Sequence, residues 1–133
     1  MNESQIINML TEYFCSMGCD VAPETWRVNC GSLWMSGGGG EVKRYVDGSS
    51  LAEVPFEIRL RTPARSIKDR VSVYGYYDAV RDGIRAEPLP EGYGAYSTGE
   101  VRCVSGASKS AVYENGEEEY RAAYVFRFRL DGE

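Results

Sequence analysis

Hydrophobic positions in this chain recur at two periods, and each period predicts its own kind of element. Near the start, Ile6, Leu10, Tyr13, Phe14 and Met17 follow one another at three- and four-residue steps, the spacing of one helix face. Asn2 followed by Gln5 has the form of a capping box, and Gly18 stands where a helix-ending glycine belongs. Monomers seldom leave so wide an apolar stripe uncovered, so this helix is expected to lie on its own sheet. Residues 25–35 hold two tryptophans, Val28 and Leu33, and predict one strand or a short irregular pair. Further on the period changes to two. Val54, Phe56, Ile58 and Leu60 alternate with Pro55, Glu57, Arg59 and Arg61, which describes a strand with one buried and one charged face. That strand, over 52–61, is preceded by another over 41–46, and Asp47-Gly48-Ser49-Ser50 supplies the turn between them. Pro55 has no N–H to give to a ladder, which puts the strand at a sheet edge or makes it irregular there.

A second helix is predicted after Thr62-Pro63. Ser66 and Asp69 form a capping pair, and Ile67, Val71, Tyr74, Tyr77, Val80 and Ile84 recur at helical steps. Gly75 and the β-branched valines weaken that helix; Gly83 marks its expected end, and Pro88 and Pro90 forbid continuation. The clearest pattern comes last. A strand over 99–104, resuming over 107–113, meets Glu114-Asn115-Gly116-Glu117, and Asn-Gly is the strongest short hairpin signal. On the return, Tyr120, Ala122, Tyr124, Phe126, Phe128 and Leu130 alternate with Arg121, Ala123, Val125, Arg127 and Arg129. Helix, strands, helix and long hairpin imply an α+β fold: a mostly antiparallel sheet with both helices on one face.

With 133 residues, the chain fits one domain over residues 1–133, because two cores would each be marginal at that size. Apolar residues at 43% and charged residues at 26% are those of an ordinary soluble globular protein. No apolar run reaches membrane-spanning length, and the opening Met-Asn-Glu-Ser-Gln lacks the regions of a signal peptide. The expectation is a soluble protein made and kept in a cytoplasm.

The chain contains no histidine. That excludes Ser-His-Asp and Cys-His nucleophile systems and the common His-containing zinc sites. Cysteines at 15, 19, 30 and 103 match no compact metal-binding spacing and read as reduced, small apolar residues. No metal or cofactor is expected. The run Gly37 to Gly40 is followed by Glu41-Val42-Lys43 rather than by the lysine and hydroxyl residue of a phosphate loop, and reads as a surface loop.

Charge is distributed unevenly. Net charge is −5 overall, which counts against general or sequence-specific nucleic-acid binding. Yet Arg59, Arg61, Arg65, Lys68 and Arg70, opposed only by Asp69, make residues 59–70 formally +4. Glu114, Glu117, Glu118 and Glu119 make the hairpin tip −4. The basic segment has no interleaved aromatics, and the glutamates read as solvated beside an exposed turn. In a head-to-tail assembly these patches could attract across each interface, making Arg59, Arg61, Arg65, Lys68, Arg70, Glu117, Glu118 and Glu119 the candidate subunit contact.

The stretch Val42-Lys43-Arg44-Tyr45-Val46-Asp47-Gly48-Ser49-Ser50-Leu51, leading into Pro55-Phe56-Glu57-Ile58, resembles a family of small prophage proteins. These are encoded in tail-morphogenesis modules and described as minor capsid or tail-terminator-like proteins. Its members are similar in the amphipathic first helix, the strand-turn-strand, the aromatic-bearing second helix and the final hairpin of alternating aromatics and arginines. The resemblance implies an α+β structural subunit of a long-tailed phage that is not an enzyme. It would assemble as a ring, typically a hexamer, on the tail tube end, stopping tube growth and presenting a surface for head joining. Implied partners are further copies of itself, tail tube protein and head-tail connector proteins. The implied location is a virion tail or prophage-derived particle, and the host bacterial cytoplasm during assembly. Two rival readings stand beside it. One is a small-ligand-binding α+β module with Tyr74, Tyr77 and Trp34 around a cavity; the other is an enzyme using Tyr or Cys chemistry.

Overall fold

The structure, a computed structural model, describes residues 3–26, 30–87, 89 and 96–130, with the side chains of 96–98 left aside. In chain order the elements are α1 (Glu3–Ser16), β1 (Val21–Pro23), β2 (Gly31–Met35), β3 (Gly40–Arg44), β4 (Ser50–Thr62), α2 (Ile67–Ala86), β5 (Tyr96–Val112) and β6 (Glu118–Leu130). One six-stranded sheet runs β1-β2-β4-β6-β5, with β3 paired beside β4. Only β1 and β2 run parallel; the other pairings are antiparallel. Both helices pack on one face, so the α+β expectation matches the observed architecture. Asn2, Val28, Pro88 and Pro90 lie outside the described residues.

The core follows directly from the period-two strands. Phe56, Ile58 and Leu60 of β4 stand opposite Tyr124, Ala122 and Tyr120 of β6, and all six side chains are buried. Ile6, Met9, Leu10, Tyr13 and Phe14 of α1 close over one half of this face. Phe14 lies 6.0 Å from Phe56 and 6.5 Å from Tyr124 between ring centroids. Fully burying each such aromatic contributes about 1.5–3 kcal/mol. Gly18, at φ +87°, reverses the chain after α1, while the Cys19 N–H donates to the Phe14 carbonyl at 3.0 Å.

Several expectations need correcting. β4 is central, not an edge strand, and Pro55 fits it for a local reason. β2 pairs with β4 over residues 56–59 and β3 pairs over residues 50–53, so Pro55 falls between them. Its carbonyl points to that gap and accepts from the Ser36 N–H at 3.1 Å. The missing proline N–H points the same way, where no ladder bond is required. Gly83 does not end α2, which continues to Ala86. A Cβ at Gly83 would run into the Met17 sulfur, so this glycine lets the end of α1 approach α2.

The buried stripe of α2 is also displaced from the one the spacing suggested. Val73, Tyr77 and Val80 are buried, whereas Ile67, Val71 and Tyr74 are exposed. Ile67, Val71 and Tyr74 lie on a side of the helix turned away from the Val73, Tyr77 and Val80 stripe, although Tyr74 still touches Tyr120 with its ring edge. Finally, β1 was not anticipated, and the two stretches expected over 99–113 are one strand with four register shifts.

Candidate functional site

Strand parity sends Arg59 and Arg61 to the sheet face opposite the helices, where no helix covers them. Arg59 lies over Trp34 at 5.0 Å from the ring centroid, and Arg61 lies 4.1 Å from Trp26 and 4.2 Å from Tyr113. The two tryptophans themselves meet at 6.0 Å. The basic stretch holds no aromatics of its own, and the fold brings rings to it. Its rings come from other segments, so no run of adjacent residues could reveal them. Such cation–π pairs contribute about 0.5–1 kcal/mol each at exposed sites. Among the described residues, Ser32 Oγ, Trp34 Nε1 and Arg61 Nε are buried here without a hydrogen-bond partner.

The same outer face carries charge pairs, and one of them, Arg127 with Glu53, joins directly opposed strand positions. Arg127 is paired with Glu53, Arg59 Nε with Glu57 at 3.0 Å, and Arg129 Nη2 with Asp47 at 3.3 Å. The alternating arginines of β6 are thus largely neutralised by acids on β4 and its preceding turn, which suits an open, wet sheet face.

At the hairpin tip, water does not relieve the Glu117-Glu118-Glu119 cluster. Glu118 and Glu119 are buried, on opposite faces of β6. Glu118 accepts from Arg70 Nε at 2.9 Å, Lys109 Nζ at 2.7 Å and the Tyr120 hydroxyl at 3.1 Å. Arg70 first, then Lys109, hold its carboxyl at about 2, well below the ordinary carboxylate range. Glu119 accepts from the Ser110 hydroxyl at 2.9 Å and the Tyr113 hydroxyl at 3.2 Å. Of the eight candidate contact residues, Arg70 and Glu118 meet inside one chain. Arg61 and Glu119 share Tyr113. Arg65 and Lys68 stand exposed around the start of α2, and Glu117 is half-buried beside the turn.

The ligand constellation of Tyr74, Tyr77 and Trp34 does not assemble. Tyr77 is buried between α2 and the sheet, with its hydroxyl donating to the carbonyls of Ile58 at 2.7 Å and Tyr120 at 3.1 Å. Tyr74 packs edge-on against Tyr120, while Trp34 belongs to the opposite sheet face. Burial pushes the hydroxyls of Tyr76, Tyr77 and Tyr124 and the thiol of Cys19 up, away from the ionised form a nucleophile needs. Among the described residues, no three His, Cys, Asp or Glu side chains group to hold a metal. No helix there is long and apolar enough to cross a membrane. The glycine run is explained by contact and turning: Gly37 and Gly38 have positive φ, and a Cβ on Gly39 would come within 2.7 Å of the Glu53 carbonyl oxygen.

No protein-family model matches the chain, and no curated protein matches it significantly.

Proposed function

We propose that this chain is a structural subunit of phage tail assembly, a tail-terminator or head-tail joining protein. It acts by self-association into a ring, a hexamer as the resemblance implies, on the end of the tail tube, within a virion tail or prophage-derived particle. The observation that carries this reading is the segment with the family resemblance, residues 42–58, together with the form it takes. It builds most of β3, the turn at Gly48 and most of β4, and every residue of β3 is exposed. A strand that buries nothing in its own subunit stabilises that subunit little, and a partner is the natural source of packing. The uncovered outer face, with its paired charges, adds a second surface suited to docking. Polymerising tail tube protein with and without the purified chain tests the reading: tubes should stop growing and carry the chain at one end.

A second reading, a small-ligand-binding module, is favoured by a groove of about 530 Å³ lined by Trp26, Leu60, Arg61, Asp69, Val73 and Tyr76. This lining shares none of the three residues first considered for a ligand. Thermal-shift screening against small anions and aromatics tests it, since a resident ligand class should raise the melting temperature.

A further inference from the structure

β5 is the last strand on its side of the sheet, and no strand lies beyond it among the described residues. Its two halves differ. Beyond Cys103 it pairs with β6 through three register shifts, and such bulges turn an edge away from further pairing. From Gly99 to Cys103 it pairs without a shift, so this stretch presents a regular, unprotected edge. The direction of its backbone groups follows from the neighbouring strands. The Pro55 carbonyl of β4 accepts from the Ser36 N–H, away from β6, so the residues on either side of Pro55 bond to β6. β4 and β6 pair without a shift. Tyr124 and Phe126 therefore bond back to β4, while Val125 and Arg127 bond to Arg102 and Glu100 of β5. Gly99, Val101 and Cys103 are left aiming their N–H and C=O groups out of the sheet edge.

Side-chain parity adds a charge pattern. Val101 is buried and stands opposite buried Phe126. Glu100 and Arg102 flank it on the face away from the helices, and both are exposed. The β6 arginines of that face reach acids within the chain: Arg121 pairs with Glu57, Arg127 with Glu53 and Arg129 with Asp47. Arg127 stands opposite Glu100 but is engaged by Glu53. Among the described residues, Glu100 and Arg102 have no ion-pair partner.

We infer that the edge of β5 pairs with the same edge of a second copy, antiparallel about a two-fold axis at Val101. In that register Val101 exchanges backbone hydrogen bonds with the partner's Val101, and Gly99 with the partner's Cys103. Glu100 falls opposite the partner's Arg102, and Arg102 opposite the partner's Glu100. These are the closer, non-hydrogen-bonded positions, where an opposite-charge pair across strands stabilises the contact. The axis is perpendicular to the sheet, so both copies keep their helices on one side and the two sheets join into one. The contact is isologous and closes on two copies. It does not rest on the ring reading, whose head-to-tail contact is a different surface, and it leaves β3 uncovered.

Sedimentation velocity across a range of concentrations measures the pairing. The parent chain should form dimers. Glu100→Lys and Arg102→Glu should each weaken them about tenfold or more, because each sets like charges against one another at both symmetric positions. Mixing the two variants should restore association, since every facing pair in the mixed dimer is again of opposite sign. In the unmodified chain, amide exchange at Gly99, Val101 and Cys103 should slow as concentration rises, while the Glu100 and Arg102 amides, already bonded to β6, should not change. Dimers that ignore both reversals and show no preference on mixing overturn this register. Edge amides that exchange at the same rate at every concentration overturn the contact itself. Neither result bears on ring formation at tube ends, which is measured with tube protein present.

Discussion

Arg70 Nε lies 2.9 Å from the Glu118 carboxylate, so the start of α2 is tied to the first residue of β6 across 48 positions of sequence. Lys109 of β5 closes on the same carboxylate, and three elements meet at one buried negative charge. Glu118 carries a folded-state pKa of about 2 against an ordinary 4.5. The folded chain therefore binds fewer protons through that window than the unfolded chain does. The stabilisation is complete above the ordinary carboxylate range and is lost as pH falls toward 2. Glu118→Gln should melt lower than the parent near neutral pH, and the gap should narrow as acid removes the same charge from the parent. Melting curves between about pH 2 and 6 check this; curves that stay parallel would assign the loss to packing instead.

Tyr77→Phe removes a buried hydroxyl that donates to the carbonyls of Ile58 and Tyr120. Shape is preserved, so the cost isolates the hydrogen bonds, at about 1–2 kcal/mol by chemical denaturation. An unchanged midpoint would show that the ladder already satisfies both carbonyls.

Glycines on α2 and β2 should respond with opposite signs. Gly75 sits mid-helix with open space where a Cβ would go, so Gly75→Ala should stabilise by about 0.5–1 kcal/mol. At Gly31 a Cβ would collide with the Tyr76 hydroxyl and press on Ile58. That hydroxyl donates to the Asp20 carbonyl at 2.9 Å, so Gly31→Ala should destabilise by about 1–3 kcal/mol. Parallel denaturation of the two variants distinguishes these signs.

Cys15 and Cys103 are exposed free thiols. Replacing either with serine should leave the melting temperature unchanged, and a chelator should not shift the melt of the parent chain. A chelator-induced drop would reveal a metal site.

The parts of the fold legible in the sequence were those where periodicity and burial coincide. Phe56, Ile58 and Leu60 against Tyr120, Ala122 and Tyr124 fall on one face because alternation and register both require it. Three-residue β1 is too short to show a period, and α2 misled because Ile67 and Val71 keep helical spacing with Tyr74 on a neighbouring, exposed side, while the buried stripe runs through Val73, Tyr77 and Val80. Composition correctly drew attention to the charged segments but could not show their partners. Arg61 meets Trp26 and Tyr113, and Arg70 meets Glu118, only because distant strands are neighbours in the sheet. Glu118 and Glu119 looked alike in sequence; strand parity sends them to opposite faces, each with its own donors.

Self-association into a closed ring is the central claim, and native mass spectrometry of the intact chain measures it most directly. Spectra taken across a range of protein concentrations, with and without tail tube protein, should show a discrete closed oligomer, six copies as the resemblance implies, enriched when tube ends are present. A chain that remains strictly monomeric at every concentration and never binds its tube would contradict the account.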